Sequence, residues 1–396
     1  CSSDLGQWYL SAGVPWFATL FGRDSLVTSL QTLPFYPAIA IATLEALASL
    51  QSESDDPWRD AEPGKIAHEL RTGELARAGV LPFSPYYGTA DATPLWLVLL
   101  AETCAWTGDL ELARRLWPNA LRALEWIDRY GDHDGDGFVE YERRSPVGLR
   151  NQGWKDSRDS IRDRFGRLAE GAIALAEVQG YVHAAKRGIA RLARLLGDEA
   201  LATRLEGEAT ALAARFEARF WLADLGRYAM ALDGAKRPID ALGSVGGHLL
   251  WSGIAAPEHA AQLEEQLLGP ALFNGWGVRT LAADAAGYNP LGYHIGTVWP
   301  HDTAIAAAGL KAYGRHDGAT RLAQALLESA QFFPGYRLPE LFCGFDRAAT
   351  MVPVAYPTAC SPQAWAAGAP FLLLRTLLRS EEHTSELQSR GLISYA

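Results

Sequence analysis

Several features that mark other protein classes are scarce in this sequence of 396 residues. It has only four cysteines (Cys1, Cys104, Cys343 and Cys360), and none has the spacing of a Cys-x-x-Cys pair or a zinc site. Scattered thiols of this kind are typical of proteins in a reducing compartment. We therefore expect free cysteines, no disulfide framework and a cytoplasmic protein.

Long apolar runs and an excess of basic residues are also missing. The sequence has no run of 18 or more apolar residues and no signal-peptide pattern at its start, so we expect no membrane partner. Its formal net charge is −10. Because binding to a phosphate backbone needs clustered Lys and Arg, this charge argues against a nucleic-acid partner.

Helical periodicity is the main pattern that the sequence does contain. For example, Ala113, Leu116, Ala120, Leu124 and Ile127 follow the spacing of one buried helix stripe. Helices are predicted near 23–33, 36–51, 64–76, 93–107, 110–130, 167–197, 198–220, 243–254, 257–268, 299–313, 316–332 and 361–378. Only 137–141 and 226–231 resemble strands. Short turns and long loops alternate between the helices, which suits a closed double ring of helices in one domain.

The two ends of the chain resemble those of a fragment. The chain begins with Cys1 rather than Met, and residues 379–389 resemble a translated sequencing adapter. We expect residues 379–396 to be a non-native tail that carries no function, and the domain to comprise residues 1–378.

Tryptophan is abundant, with 13 residues. Four stand in long connectors beside charged residues: Trp16, Trp154, Trp276 and Trp299. Filling of a helical core is one interpretation, and stacking against a sugar is the other. We favour sugar stacking for these four and core filling for the tryptophans on helix stripes.

Three carboxylates stand in unusual surroundings. Asp24 follows Arg23 after a Trp- and Phe-rich run, where it can cap a helix or grip sugar hydroxyls. Asp156 lies two residues after Trp154, whose apolar face would favour a protonated general acid, although capping is again an alternative. Glu340 lies among Leu and Pro residues and is either a buried ion-pair partner or a functional carboxylate.

No metal or cofactor site is predicted. His294 and His301 are seven positions apart without a third ligand nearby, so zinc is not expected. The acidic turn that begins at Asp132 resembles a calcium loop, but its twelfth position is Arg143, where a bidentate Glu is needed. Phosphate-binding, dinucleotide-binding and nucleophile-elbow motifs are absent.

Eight segments, in order along the chain, carry a family resemblance. They are PWFATLFGRDS (15–25), YYGTADATPL (86–95), DGDGFVEY (134–141), NQGWKDSRDS (151–160), GWGVRTL (275–281), YNPLGYHIGTVWPHD (288–302), RLPELFCGF (337–345) and YPTACSPQAWAAGA (356–369). In these segments the chain resembles the catalytic domain of bacterial amylo-α-1,6-glucosidases of the glycogen-debranching type. It is more distantly similar to the glucoamylase, trehalase and mannosylglycerate-hydrolase barrels.

The resemblance implies an all-α (α/α)6 barrel that hydrolyses an α-glucan or oligosaccharide with inversion. It also implies that a β-rich domain precedes this barrel in the full-length protein. Asp156 would be the general acid and Glu340 the general base. For an inverting enzyme we expect their carboxyl groups to lie roughly 6.5–9.5 Å apart. The predicted substrate-binding residues are Trp16, Arg23, Asp24, Tyr87, Asp91, Trp154, Lys155, Trp276, Arg279, His294, Trp299, His301 and Asp302.

Three alternatives stay open at this point. The first is a hydrolase of the same fold that acts on trehalose, mannosylglycerate, glucosylglycerate or another oligosaccharide. The second is a sugar epimerase with histidines as proton carriers. The third is a glucan-binding barrel without catalytic activity.

Overall fold

The computed structural model describes residues 9–378, so the predicted tail at 379–396 lies outside the described residues. Its α-helices are α1 (Gly22–Thr32), α2 (Pro37–Ser49), α3 (Glu74–Arg77), α4 (Ala92–Thr107), α5 (Leu110–Glu125), α6 (Ala176–Leu195), α7 (Glu199–Phe220), α8 (Val245–Ser252), α9 (Ala260–Leu268), α10 (Pro300–Ala312), α11 (His316–Ala330), α12 (Arg347–Thr350) and α13 (Ala364–Leu378). Its strands are β1 (Ser11–Gly13), β2 (Phe17–Phe21), β3 (Glu69–Leu70), β4 (Ala174–Leu175), β5 (Trp221–Leu222), β6 (Arg227–Tyr228), β7 (Ala231–Leu232) and β8 (Pro238–Ile239).

Six helices form a closed inner ring. In order around it, α1 packs on α4, α4 on α6, α6 on α8, α8 on α10 and α10 on α13, and α13 packs back on α1. Five further helices of the described chain (α2, α5, α7, α9 and α11) each follow an inner helix and pack outside it. This double ring confirms the predicted (α/α)6 barrel.

Side-chain pattern explains which helices lie inside. Every residue of α1 is buried, as a helix surrounded by protein on all sides requires. The outer helix α5 instead buries only one stripe, which includes Leu112, Leu116 and Leu124. Arg114 and Arg115 lie exposed on its other side.

A small sheet holds the start of α1 in place. Strands β1, β2 and β3 form an antiparallel sheet in which Phe21 pairs with Glu69. Gly22 follows β2, and its backbone N–H donates to the His68 carbonyl at 2.7 Å. A Cβ at Gly22 would lie 2.1 Å from the Ala67 carbonyl oxygen, so only glycine allows β2 to pass into α1 this closely.

Three parts of the sequence prediction are wrong. Residues 64–76 are not one helix, because this segment contributes β3 to the small sheet and only Glu74–Arg77 is helical. Helix α6 begins at Ala176 rather than 167, since the residues before it form β4, which pairs with β7. Residues 137–141 form no strand; only Tyr141 makes an isolated bridge, with Ile173.

The cysteines and the apolar helices were the subject of two further expectations. Cys104, Cys343 and Cys360 are buried free thiols, and Cys1 lies outside the described residues. Between residues 9 and 378, no helix combines the length and apolar character needed to cross a membrane.

Candidate active site

A cavity of about 150 Å³ lies where inner helices begin. Helix α1 supplies Arg23 and Asp24 from its first turn, and Trp299 lines the cavity immediately before α10. Long loops add the rest of the wall, including both predicted catalytic carboxylates. The lining side chains are those of Phe17, Phe21, Arg23, Asp24, His68, Glu69, Arg71, Leu149, Trp154, Asp156, Tyr293, His294, Trp299, Glu340, Gln363 and Trp365.

Asp156 lies in the loop between α5 and α6, beside Arg23. Its Oδ2 is 3.4 Å from Nη1 of Arg23, and its side chain is 28% exposed. Desolvation raises the pKa of Asp156 to about 6, although the Arg23 charge opposes this shift. The next residue is fixed by His294, whose Nδ1 lies 2.9 Å from the Ser157 hydroxyl oxygen. Asp156 is thus a positioned carboxyl group that holds its proton in mildly acidic solution.

Glu340 lies on a loop that is pinned to the start of α10. Val298 and Phe342 exchange backbone hydrogen bonds of 2.9 and 3.0 Å, which fixes this loop. The Tyr293 hydroxyl donates to Oε1 of Glu340, and the Cys360 backbone N–H donates to Oε2 at 2.9 Å. Burial raises the pKa of Glu340 above its ordinary value, although both hydrogen bonds act in the opposite direction. The two donors therefore favour the ionised form of a buried carboxylate.

A third carboxyl group, that of Asp24, faces the same cavity. Gln363 donates to its Oδ1 at 2.9 Å. Burial first, and then the nearby carboxylates of Glu340 and Asp156, raise the pKa of Asp24 to about 7, while Arg23 lowers it. Close to neutral pH this group can both accept and donate a hydrogen bond.

Arg23 links Asp156 to a buried carboxylate behind the cavity wall, that of Asp91. Its Nε donates to Oδ2 of Asp91 at 2.7 Å. Asp91 is fully buried and also accepts from the Thr89 hydroxyl. Asp91 therefore supports Arg23 from behind the cavity wall. Nη2 of Arg23 has no hydrogen-bond partner among the described residues and is available to a ligand.

Aromatic rings make up one wall of the cavity. The His294 ring stacks on Trp299 at 4.9 Å between centroids, and Trp154 meets both rings edge-on. Behind this wall, His248 lies over Trp154, and its Nε2 lies 2.7 Å from Oδ1 of Asp302. The wall is therefore a rigid apolar surface of the kind that binds the C–H face of a sugar.

Several predicted substrate-binding residues do not line the cavity. Lys155 is buried and donates from Nζ to the Thr280 carbonyl at 3.0 Å. Asp302 is fully buried against His248. His301 lies behind the wall, where it stacks on Trp365 at 3.7 Å. These three side chains, like Asp91, support the cavity wall from within the core.

Four others lie in different surroundings. Trp16 is 63% exposed, and its Nε1 donates to the Thr358 carbonyl. The Tyr87 hydroxyl donates to the Leu50 carbonyl in a small separate apolar cluster. Trp276 is buried and meets Phe332 edge-on. Arg279 donates to the Gly344 carbonyl and to Asp346, so its charge is used in holding a loop. The lining of the cavity thus does not include these four residues.

The structure adds cavity residues that sequence reasoning missed. Glu69 and Arg71, which form an ion pair of 2.7 Å, come from the segment that was predicted to be helical. Tyr293 and Gln363 were missed as partners of the carboxylates, although both lie in segments that carry the family resemblance. His68 was missed as well. Glu69 lies in a strand because it pairs with Phe21 of β2, and the residues around it show no alternating pattern that would have indicated this strand.

The carboxylates of the acidic turn are paired with a lysine of the same chain, Lys236. Carboxylate oxygens of Asp132, Asp134 and Asp136 lie within 4.8 Å of one another. Nζ of Lys236 lies 2.9 Å from Asp134 and 2.7 Å from Asp136, and it also contacts Glu140. This ammonium group therefore neutralises part of the negative charge of the turn.

A known protein family matches more than half of the chain. The family described as mannosylglycerate hydrolase MGH1-like glycoside hydrolase domain matches residues 86–335. The chain belongs to this family. The expectation of a glycoside hydrolase is thereby confirmed, whereas nothing in the comparisons supports glycogen debranching. No curated protein matches the sequence.

Solved structures show the same fold as this glycoside hydrolase. An uncharacterized conserved protein from Thermus thermophilus is 17% identical, with 93% of this chain and 96% of that chain covered and a TM-score of 0.69. The GH63 mannosylglycerate hydrolase of the same organism, in complex with Tris and D-glycerate, is 16% identical with the same coverage and TM-score. Its complex with glucose is 16% identical with a TM-score of 0.70, over 93% of this chain and 96% of that chain.

Proposed function

We propose that this glycoside hydrolase cleaves an α-glycosidic bond with inversion, with Asp156 as general acid and Glu340 as general base. The observation that carries the proposal is that both carboxyl groups line one cavity but have different partners. Asp156 has a raised pKa of about 6 and is partly exposed. Glu340 accepts two hydrogen bonds that favour its ionised form. Hydrolysis of a glycoside with inversion requires one protonated and one ionised carboxyl group, and the different partners of Asp156 and Glu340 suit these two roles.

In this mechanism Asp156 donates its proton to the glycosidic oxygen as the bond to the sugar breaks. Glu340 takes a proton from a water molecule that attacks the anomeric carbon from the opposite side of the ring. Arg23 then stabilises the Asp156 carboxylate that the proton transfer leaves behind. No covalent intermediate forms.

For substrate, we propose a small α-glucoside or α-mannoside with a compact aglycone, such as mannosylglycerate or glucosylglycerate. The cavity of about 150 Å³ is smaller than the roughly 300–1,000 Å³ of sites for drug-sized ligands, which suits one sugar ring. Buried polar atoms without partners in the described chain include Nη2 of Arg23 and Oε1 of Gln363, and both residues line the cavity. Such atoms match a polyhydroxylated ligand. The family description supports this choice over α-1,6-branched glucans, which remain the alternative.

Histidine-based proton transfer, as in an epimerase, is less well supported. Burial holds the pKa of His294 and of His301 well below the ordinary value. Both imidazoles are therefore neutral near pH 7, and neither readily gains the charged form that a proton carrier passes through.

Asp24 is the rival for the role of general acid, because its pKa is also raised, to about 7. Asp156→Asn and Asp24→Asn therefore form a matched pair of acid-to-amide substitutions. If Asp156 is the acid, its variant loses most activity on poor leaving groups and little on activated aryl glycosides. The Asp24→Asn variant should lose activity to the same extent with both, since it removes a contact to the sugar. The reverse pattern would assign the acid to Asp24.

The direct test is proton NMR of the first sugar released from α-glucosides and α-mannosides. Release of the β-anomer supports inversion, and release of the α-anomer would contradict it. The substrate panel is mannosylglycerate, glucosylglycerate, trehalose, isomaltose and glycogen limit dextrin. Highest kcat/KM on either of the first two supports the proposed substrate, and highest kcat/KM on isomaltose or limit dextrin would support debranching.

A further inference from the structure

The barrel has a second cavity, at the mouth opposite the active site. Its volume is about 310 Å³, and all six inner helices line it. The lining positions lie towards the C-terminal ends of these helices, for example Gln31 in α1, Ser252 in α8 and Ala312 in α10. In the active site, Arg23 and Asp24 lie at the other end of α1, and Trp299 immediately precedes α10. The two cavities are therefore separate sites.

The second cavity has an excess of positive charge. Arg187, Arg191, Arg375 and Glu102 are its charged lining residues, so three positive charges face one negative charge. Glu102 lies 3.5 Å from Arg191 and 4.0 Å from Arg375. Arg187 makes no salt bridge within residues 9–378, although its charge is one of the causes that lower the pKa of Glu206. One guanidinium group at the mouth is thus available to an anion.

Helix-dipole neutralisation does not account for Arg187. A basic side chain stabilises the C-terminal end of a helix only within the last turn. Arg187 lies eight positions before Leu195, where α6 ends. Its charge therefore does not serve the end of its own helix.

The interior of this cavity also contains an unpaired amide. Gln31 is 1% exposed, and neither its nitrogen nor its oxygen has a hydrogen-bond partner among the described residues. Its neighbours in the lining include the apolar side chains of Val98, Ile305 and Leu372. Buried side-chain amides normally have partners, so this amide marks a position where a polar group of a ligand would pair.

We propose that the second cavity binds a small organic carboxylate with an apolar body and a polar substituent. The carboxylate pairs with Arg187 and Arg191, since guanidinium groups bind carboxylates in a fork geometry. The body packs among the apolar side chains, and the polar substituent reaches Gln31. This binding site is independent of the hydrolytic reaction.

The probe for the test is 4-hydroxybenzoate, which has these three parts, and binding is measured by titration calorimetry and saturation-transfer NMR. Binding should weaken about tenfold in Arg187→Gln, because one charge-assisted contact is lost. It should be lost in Ala308→Met, which fills the cavity, and weakened in Gln31→Leu. Arg114→Gln, on the exposed side of α5, is the matched control and should bind as the wild type does.

Further controls separate this site from the active site. The uncharged analogue 4-hydroxybenzyl alcohol should bind at least about tenfold more weakly than the acid. Glucose should not displace the probe, and each variant should remain folded and keep the wild-type hydrolytic rate. The proposal is overturned if the wild type does not bind the probe, if Arg187→Gln and wild type bind it equally, or if glucose displaces it. Because the readout is binding, these outcomes do not depend on whether the proposed hydrolysis is correct.

Discussion

Replacing Tyr293 by Phe tests the assignment of Glu340 as the general base. The substitution removes the hydroxyl that donates to Oε1 of Glu340 and leaves the Cys360 N–H on Oε2. Glu340 thus keeps one anchor, and its orientation is largely retained. Its pKa must rise, because a donor that stabilised the carboxylate is gone while burial still opposes ionisation.

The size of the effect follows from the hydrogen bond that is lost. A hydrogen bond to a charged group contributes about 1.5–3 kcal/mol, which corresponds to roughly 10- to 150-fold in the ionised fraction. Glu340 is 2% exposed, so a water molecule from solvent cannot readily replace the lost hydrogen bond. On the acid side of the pH profile, kcat/KM of Tyr293→Phe should fall by about that factor and approach the wild-type value as pH rises.

The assay is the pH dependence of kcat/KM on one activated glycoside, which reports the essential groups of the free enzyme. The matched control is Tyr87→Phe, which also removes a hydroxyl hydrogen bond, to the Leu50 carbonyl, but outside the cavity. Its acid limb should coincide with that of the wild type. Coincidence of the Tyr293→Phe profile with the wild type would refute the role given to Glu340.

Other predictions concern the acid, the base and the acidic turn. Because Asp156 has a pKa of about 6 and must be protonated to act, kcat/KM should fall as pH rises through about 6; a rate that stays constant to pH 8 would argue against this acid. Glu340→Gln should lower kcat by at least about 100-fold whatever the leaving group, and a loss confined to poor leaving groups would reverse the assignment. Lys236→Met should lower the free energy of unfolding by about 3 kcal/mol, because it leaves Glu140 buried without its cation. Urea unfolding measures this loss, with Arg114→Met as the control variant. EDTA should leave hydrolysis unchanged, and loss of activity that calcium restores would contradict our interpretation of the turn.

Periodicity was sufficient to predict most of the barrel, because helices have a strong local signal. The amphipathic stripe of α5 and the apolar composition of α4 each predict a helix without knowledge of the neighbours. The failures occur where pairing partners decide the structure. Glu69–Leu70 is a strand only because β2 lies beside it, and no local pattern contains that information.

The part of the candidate site that could be predicted consists of charged residues with apolar sequence neighbours. Asp156 beside Trp154, and Glu340 among Leu and Pro, were noticeable because charge seldom occurs in such surroundings. An aromatic ring in a loop carries no comparable signal: Trp299 faces the cavity and Trp276 packs against Phe332. Which side of a loop a ring faces depends on long-range packing.

The contact that closes the ring also sets an order for folding. Helix α13 packs on α1, and the hydrogen bond from Gln363 to Asp24 joins positions 339 residues apart. Because closing so long a loop is entropically costly and slow, the cavity is completed late. During synthesis, the side of α1 that α13 covers stays exposed until the last inner helix has left the ribosome. Such apolar surface favours aggregation, so production of folded protein should depend on chaperone capacity more strongly than the stability of the finished barrel suggests.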